Sequence, residues 1–152
     1  MPVDYKRYHP KWSLISRLIR FHRAKGRCEC CGVANYSVGQ WRENKWLPIH
    51  GTPEADRLGA GLGSYKEATA YRDEHNLRFD DFPMAKLSVV VLTVAHLDHD
   101  ITHNRFDNLQ ARCQLCHLSH DRRDNAERRM YGPTGRFYNQ LRLLYSGSRL
   151  SD

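Results

Sequence analysis

Apolar residues recur at helical spacing over residues 12–25, WSLISRLIRFHRAK. Trp12, Ile15, Leu18, Ile19 and His22 fall on one face, and Arg17, Arg20 and Arg23 spread round the rest. Gly26 is placed to end that helix. Residues 36–50 predict a short hairpin, with Tyr36, Val38 and Trp41 on one arm and Trp46, Leu47 and Ile49 on the other, turning at Glu43-Asn44-Lys45. Residues 51–64 are glycine-rich and predict a loop. Residues 65–75 predict a helix with Ser64 as its cap, and Asp80-Asp81-Phe82-Pro83 breaks the chain. Residues 86–95, KLSVVVLTVA, are β-branched and almost continuously apolar, which predicts a buried strand. A polar turn at 100–107, a return strand at 108–112 and a helix at 114–130 follow, with a further helix over 134–145. Residues 89–130 therefore spell strand, turn, short strand, helix: a ββα unit.

This order predicts an α+β fold in a single domain over 1–152. A helix and a first cysteine pair occupy 12–32, an inserted hairpin and loop region 33–85, the ββα core 86–130 and a tail 131–152. Composition agrees: 152 residues with 40% hydrophobics allow one modest core, and the mix is globular rather than disordered. Charge is unevenly spread. The 24 Lys and Arg against 17 Asp and Glu leave +7, and both ends are basic while the middle is acidic. Basic ends suit a polyanion, because Lys and Arg displace counterions from phosphates; a solvated basic face is the plainer reading of the same pattern. No run of 18 apolar residues predicts a membrane span, and MPVDYKRYHPKW lacks the apolar core of a signal peptide. A cytoplasmic protein with reduced cysteines is expected.

Cys28 and Cys31 form one C-x-x-C, Cys113 and Cys116 a second. Two such knuckles supply four thiolates, the set that tetrahedral structural zinc takes, and knuckle amides can soften the thiolate charge. A closed four-thiolate site leaves no position for substrate, so the zinc is expected to staple the fold. Cys30 would make too tight a bite and is left out. Unrelated buried cysteines, or a redox pair, fit less well, since no thioredoxin-like pattern surrounds either motif.

The segment AHLDHDITHNRFDNLQARCQLCHLSHD gathers His96, Asp98, His99, Asp100, His103, Asn108, His117 and His120 at the end of the predicted buried strand. Phosphodiester hydrolysis needs a base for water, a cation for the developing charge and help for the leaving oxygen. Neutral imidazole suits the first task; carboxylate, amide carbonyl and imidazole suit the second. His103, His9, His22, His50 and His75 are assigned no role.

The pattern V-A-H-L-D-H … D-N-L-Q-A-R-C-x-x-C-H resembles HNH endonucleases, particularly the small phage and prophage type with a four-cysteine zinc site. The likeness is strongest over 88–120 and weaker over 12–32. It implies a ββα-metal core and a metal-dependent DNA endonuclease. His96 is then the general base, Asn108 the residue that holds the loop, and His117 a ligand of a catalytic divalent ion: magnesium or manganese, with nickel or zinc also compatible. Many family members carry a metal-binding Asp before the first His, where this chain has Ala95; Asp98-His99 repeats the dyad three residues on. Two registers follow. In one, His96 is the base and Asp98 or His99 completes the metal shell. In the other, Asp98 is the ligand and His99 the base. Spacing to Asn108 and the period of two along a strand favour His96. His120, one helical turn beyond His117, is a further candidate ligand.

Arg20, Arg23 and Lys25 in the first helix and Arg122 and Arg123 in the last are the expected phosphate contacts. No base-reading pattern is present, so little sequence preference is expected. DNA is the expected partner, with phage packaging proteins as further partners on the strength of the resemblance. The alternative is a zinc-finger module that binds nucleic acid without cutting it.

Overall fold

A computed structural model of the chain describes residues 8–132, in two compact units. The first runs to His117, and the second begins at Leu118. The described residues are mixed α+β, with four α-helices and two small sheets. The expected helix over 134–145 and most of the tail lie outside them.

The first helix departs from its predicted form halfway along. Helix α1 covers Trp12–Arg17, and Leu18–Arg23 continue as a π-helical turn, with the Ala24 N–H reaching back five residues to the Ile19 carbonyl at 3.0 Å. The wider turn shifts the inward position by one residue. His22, expected on the buried face, is exposed, and Arg23 turns inward instead. Ile19 is fully buried and packs with Val94, Leu109 and Ala111, flanked by Trp12, Ile15 and Ala24.

The hairpin forms as expected. Strands β1 (Val38–Arg42) and β2 (Lys45–Pro48) pair antiparallel with Arg42 opposite Lys45. The two turn residues Glu43 and Asn44 both take positive φ, the twist that a two-residue hairpin needs. The glycine-rich stretch is not simply a loop. Helix α2 (Pro53–Gly59) forms there because Thr52 caps it, accepting from the Ala55 N–H at 3.1 Å, and Pro53 stands at its first position. Its last glycine serves packing: a Cβ on Gly59 would lie 2.2 Å from the Ile49 carbonyl oxygen. Helix α3 (Tyr65–Arg78) starts on a full capping box between Ser64 and Glu67.

The long β-branched run is split between two sheets. Strand β3 (Ser88–Val89) adds to β1, giving the order β2-β1-β3, while β4 (Thr93–His96) pairs antiparallel with β5 (Leu109–Arg112). In the crossover Val90–Leu92, Val90 and Leu92 are fully buried and Val91 partly so, and the backbone must find other partners. Val90 exchanges hydrogen bonds with Tyr36 and Ser37, the Val91 N–H donates to Gln114 Oε1, and the Leu92 N–H donates to Asn35 Oδ1. Helix α4 (Gln114–Tyr131) follows β5 directly. The order strand, turn, strand, helix expected for 89–130 is thus present.

Three small apolar clusters result among the described residues. One lies in the inserted region around Val38, Leu58, Ala68, Leu87 and Val89. One lies under the first helix at Ile19. The third surrounds Cys28 and Cys113, with Val90 and Leu92. No helix among the described residues is long and apolar enough to cross a membrane.

Candidate functional site

The two C-x-x-C motifs meet. The sulfur atoms of Cys28, Cys31, Cys113 and Cys116 all lie within 4.8 Å of one another, with Cys31 Sγ and Cys113 Sγ 3.7 Å apart. Zinc–sulfur bonds of ~2.3 Å in a tetrahedron require sulfur–sulfur edges of about 3.8 Å, so the spacing fits a structural Zn²⁺. The electrostatics agree. Hydrogen bonding from the Cys113 thiol, opposed by burial and aided by the amides of Cys31, Cys113 and Cys30, lowers the Cys28 pKa to about 4. The bond to Cys28 and burial push Cys113 far up, and burial chiefly pushes Cys116 up to about 12. Burial and mutual hydrogen bonding thus oppose ionisation of the crowded thiols together, an opposition that a cation would relieve. Cys28 and Cys113 are buried, whereas Cys31 and Cys30 are exposed.

Asn108 ties together the two ends of the loop between β4 and β5. Asn108 Nδ2 donates to Asp98 Oδ1 at 2.8 Å and to the His103 carbonyl at 2.8 Å, while Asn108 Oδ1 accepts the Asp98 N–H at 3.2 Å. The loop-holding role expected of Asn108 is thus carried out on Asp98 and not on His96. Asp98 Oδ1 also accepts the Asp100 N–H, and Oδ2 meets His103 Nδ1 at 2.5 Å. Burial raises the Asp98 pKa, but the bonds from Asn108, the Asp100 amide and His103 outweigh it and keep the group anionic. His103, given no role from sequence, is therefore the partner of the carboxylate at the centre of the loop. Nothing in the spacing of a histidine five residues past an aspartate announces that pairing.

His96 lies elsewhere. It is only 6% exposed, stacks on Trp12 with ring centroids 5.1 Å apart and planes 16° apart, and its Nε2 meets Asn104 Oδ1 at 3.1 Å. His117 Nδ1 meets Thr93 Oγ1 at 2.6 Å. Thr93 and His96 are three residues apart on one strand, and side chains alternate along a strand, so they project to opposite faces. Val94, on the His96 face, packs on Ile19. The structure thus separates His96 from His117 across β4, where the sequence reading brings them together. The same-face argument for His96 and Asp98 also lapses, because β4 ends at His96 and Asp98 is already in the turn. His99, at φ +61°, is half-buried in that turn, and its N–H donates to the His96 carbonyl.

Two of the expected phosphate contacts are committed inside the molecule. Arg20 donates to the Ser16 and Leu92 carbonyls. Arg23 makes a two-pronged ion pair with Glu29 and donates to the carbonyls of Phe106 and Leu109. The helix turns these side chains inward, where backbone carbonyls need donors. Lys25 is exposed, in a left-handed backbone conformation. In the second unit Arg122 is exposed, Arg123 pairs with Glu127 and Arg128 with Asp124. His120 belongs to that unit.

No family model matches the chain, and neither a curated protein nor a solved structure does so.

Proposed function

We propose that the chain is a metal-dependent endonuclease of the HNH type that hydrolyses phosphodiester bonds in DNA. The reading rests on the resemblance over 88–120. The observation that carries it is the Asn108 clamp: an asparagine that opens the return strand closes the β4–β5 loop onto an anionic aspartate, directly ahead of a cysteine centre suited to zinc. Such a loop is built to hold one carboxylate and one adjacent imidazole in fixed places, as hydrolysis of an unactivated phosphodiester requires.

Of the two registers, the geometry favours the second. A general base must reach a water molecule, and His96 is buried beneath an indole with Nε2 engaged by Asn104. His99 follows the clamped Asp98 and is not buried. In this reading His99 takes the proton of the attacking water as its oxygen bonds to phosphorus, and the bond to the leaving deoxyribose oxygen breaks, that oxygen taking a proton from solvent water. Asp98 and His117 are the candidates to hold a divalent ion, magnesium or manganese, which would neutralise charge developing on the phosphate. His96 positions the loop: it holds Asn104, whose Nδ2 donates to the carbonyls of Ile101 and Thr102. DNA is engaged without base reading, with Lys25 and Arg122 the contacts left of the original set.

The test is plasmid nicking with Mg²⁺, Mn²⁺ or Ni²⁺, with and without EDTA, on wild type, His99→Ala and His96→Gln. Cutting lost in His99→Ala and retained in part by folded His96→Gln is expected. Loss in folded His96→Gln with retention in His99→Ala returns the base to His96. Salt-dependent DNA binding without cutting under any divalent ion establishes the zinc-finger binding module in place of the nuclease.

A further inference from the structure

Glu29 lies inside the first knuckle, between Cys28 and Cys30, and Arg23 ends the π-helical turn. Their contacts run in one direction. Arg23 Nε and Nη2 grip the two Glu29 oxygens at 2.9 and 2.8 Å. The same guanidinium donates to the Phe106 carbonyl at 2.6 Å through Nη1 and to the Leu109 carbonyl at 2.5 Å through Nη2. These two carbonyls flank Asn108. Arg23 also covers the Phe106 ring, 5.3 Å from its centroid. Glu29 in turn takes the outer edge of β5: its backbone N–H donates to the Ala111 carbonyl at 2.9 Å, and its carboxylate accepts the Ala111 N–H at 2.6 Å.

We propose that Arg23 and Glu29 are positioning residues that transmit the order of the cysteine centre to the Asn108 loop. The knuckle carries Glu29, whose carboxylate meets Arg23 and the Ala111 N–H. Glu29 orients the guanidinium, and the guanidinium fixes the chain on both sides of Asn108. Asn108 then places Asp98. A planar fork with five donors can serve two carboxylate oxygens and two carbonyls at once, whereas an ammonium offers one compact charge and cannot. An Arg used in this way is unavailable to phosphate, so the charge of Arg23 serves folding of the site and not affinity for nucleic acid. The catalytic part of this inference rests on the nuclease reading above; the structural part does not.

Arg23→Lys separates the two roles, since it keeps the charge and loses the fork. The experiment uses the full chain loaded with one zinc, comparing wild type, Arg23→Lys, Arg23→Ala, Glu29→Ala and the milder Glu29→Gln. Three quantities are read: amide hydrogen exchange at Asn108 and Ala111, kcat and KM for Mn²⁺-dependent nicking, and the salt dependence of DNA binding. Both Arg23→Lys and Glu29→Ala are expected to speed exchange at these amides at least tenfold. They should lower kcat at least tenfold, leaving KM and the slope of log K against log salt unchanged. Zinc removal from wild type should raise exchange at the same two amides to the level of Arg23→Lys. Unchanged exchange in folded Arg23→Lys and Glu29→Gln overturns the proposal. So does a salt slope shallower by about 1 for Arg23→Ala with exchange intact, the mark of a lost phosphate contact. If wild type cuts no DNA under any divalent ion, the nuclease reading fails and the exchange data alone decide the brace.

Discussion

An imidazole can be held for its shape or for its basicity, and the two demands conflict. His96 is stacked against Trp12, with Tyr8 a further ring neighbour at 6.1 Å, and bonded through Nε2 to Asn104. This is a setting for shape. Removing it empties part of the interior and leaves Asn104 Oδ1 without that partner, so His96→Ala should lower stability by about 2 kcal/mol. Urea unfolding followed by tryptophan fluorescence measures this, since Trp12 reports on the stack directly. His99→Ala should change stability little and cutting greatly, by the ~10²–10⁴-fold typical of a lost general base. Exogenous imidazole restoring part of the rate to His99→Ala, and none to His96→Ala, would tie the chemistry to the His99 ring. His103 belongs to this scale too: its bond to Asp98 Oδ2 holds one carboxylate oxygen while Asn108 and the Asp100 amide hold the other.

Secondary-structure elements here are decided by their ends. Helix α2 arises in a segment whose glycines read as loop, because Thr52, Pro53 and Glu54 form a start signal stronger than the glycine content. Gly59→Ala should cost roughly 1–3 kcal/mol, since the added methyl meets the Ile49 backbone and not a side chain that can rotate away. Thermal or urea unfolding reads the difference, and a change below about 0.5 kcal/mol would show that the contact relaxes freely. Helix α3 depends on Glu67, whose pKa is lowered to about 2 by the Ser64 amide first, then by the Ser64 hydroxyl and Arg57. A depressed carboxyl stabilises the fold above its unfolded pKa and loses that contribution as pH falls. Its share should therefore fade between about pH 4.5 and pH 2. Glu67→Gln should flatten that part of the wild-type acid-unfolding curve. An identical acid limb in both proteins would count against the capping box.

At the scale of the molecule, no single core dominates the described residues. Three small clusters are joined by the crossover Val90–Leu92 and by the cysteine centre, which links residues 28–31 to 113–116. A metal that binds the folded site stabilises the fold by its binding free energy. A mercurial reagent should thus release one zinc per chain and lower the unfolding midpoint markedly. Cys113→Ser, at a fully buried ligand, should do the same. The knuckle then loses its anchor, and Glu29 with it. Absence of bound zinc in protein purified without chelator would remove this account of the cysteines.

Much of this was legible along the chain, for local reasons. The C-x-x-C pairs, the Glu43-Asn44 turn, the Ser64 cap and the strand, turn, strand, helix order depend on residues close in sequence, where spacing and backbone preference suffice. The sequence by itself also gathered the candidate site residues into one histidine-rich segment. What only the tertiary structure decided is which side chains face one another. The π-helical turn moves Arg23 inward and His22 outward, a shift of one position that no periodicity records. The β-branched run divides between two sheets because its first part pairs with β1, far earlier in the chain, and its last part with β5, across the next turn. His96 falls on the opposite face of β4 from Thr93 and His117 because the strand persists to residue 96. A one-residue difference in where that strand ends reverses the face, and it is packing on Ile19 and Trp12 that settles the matter.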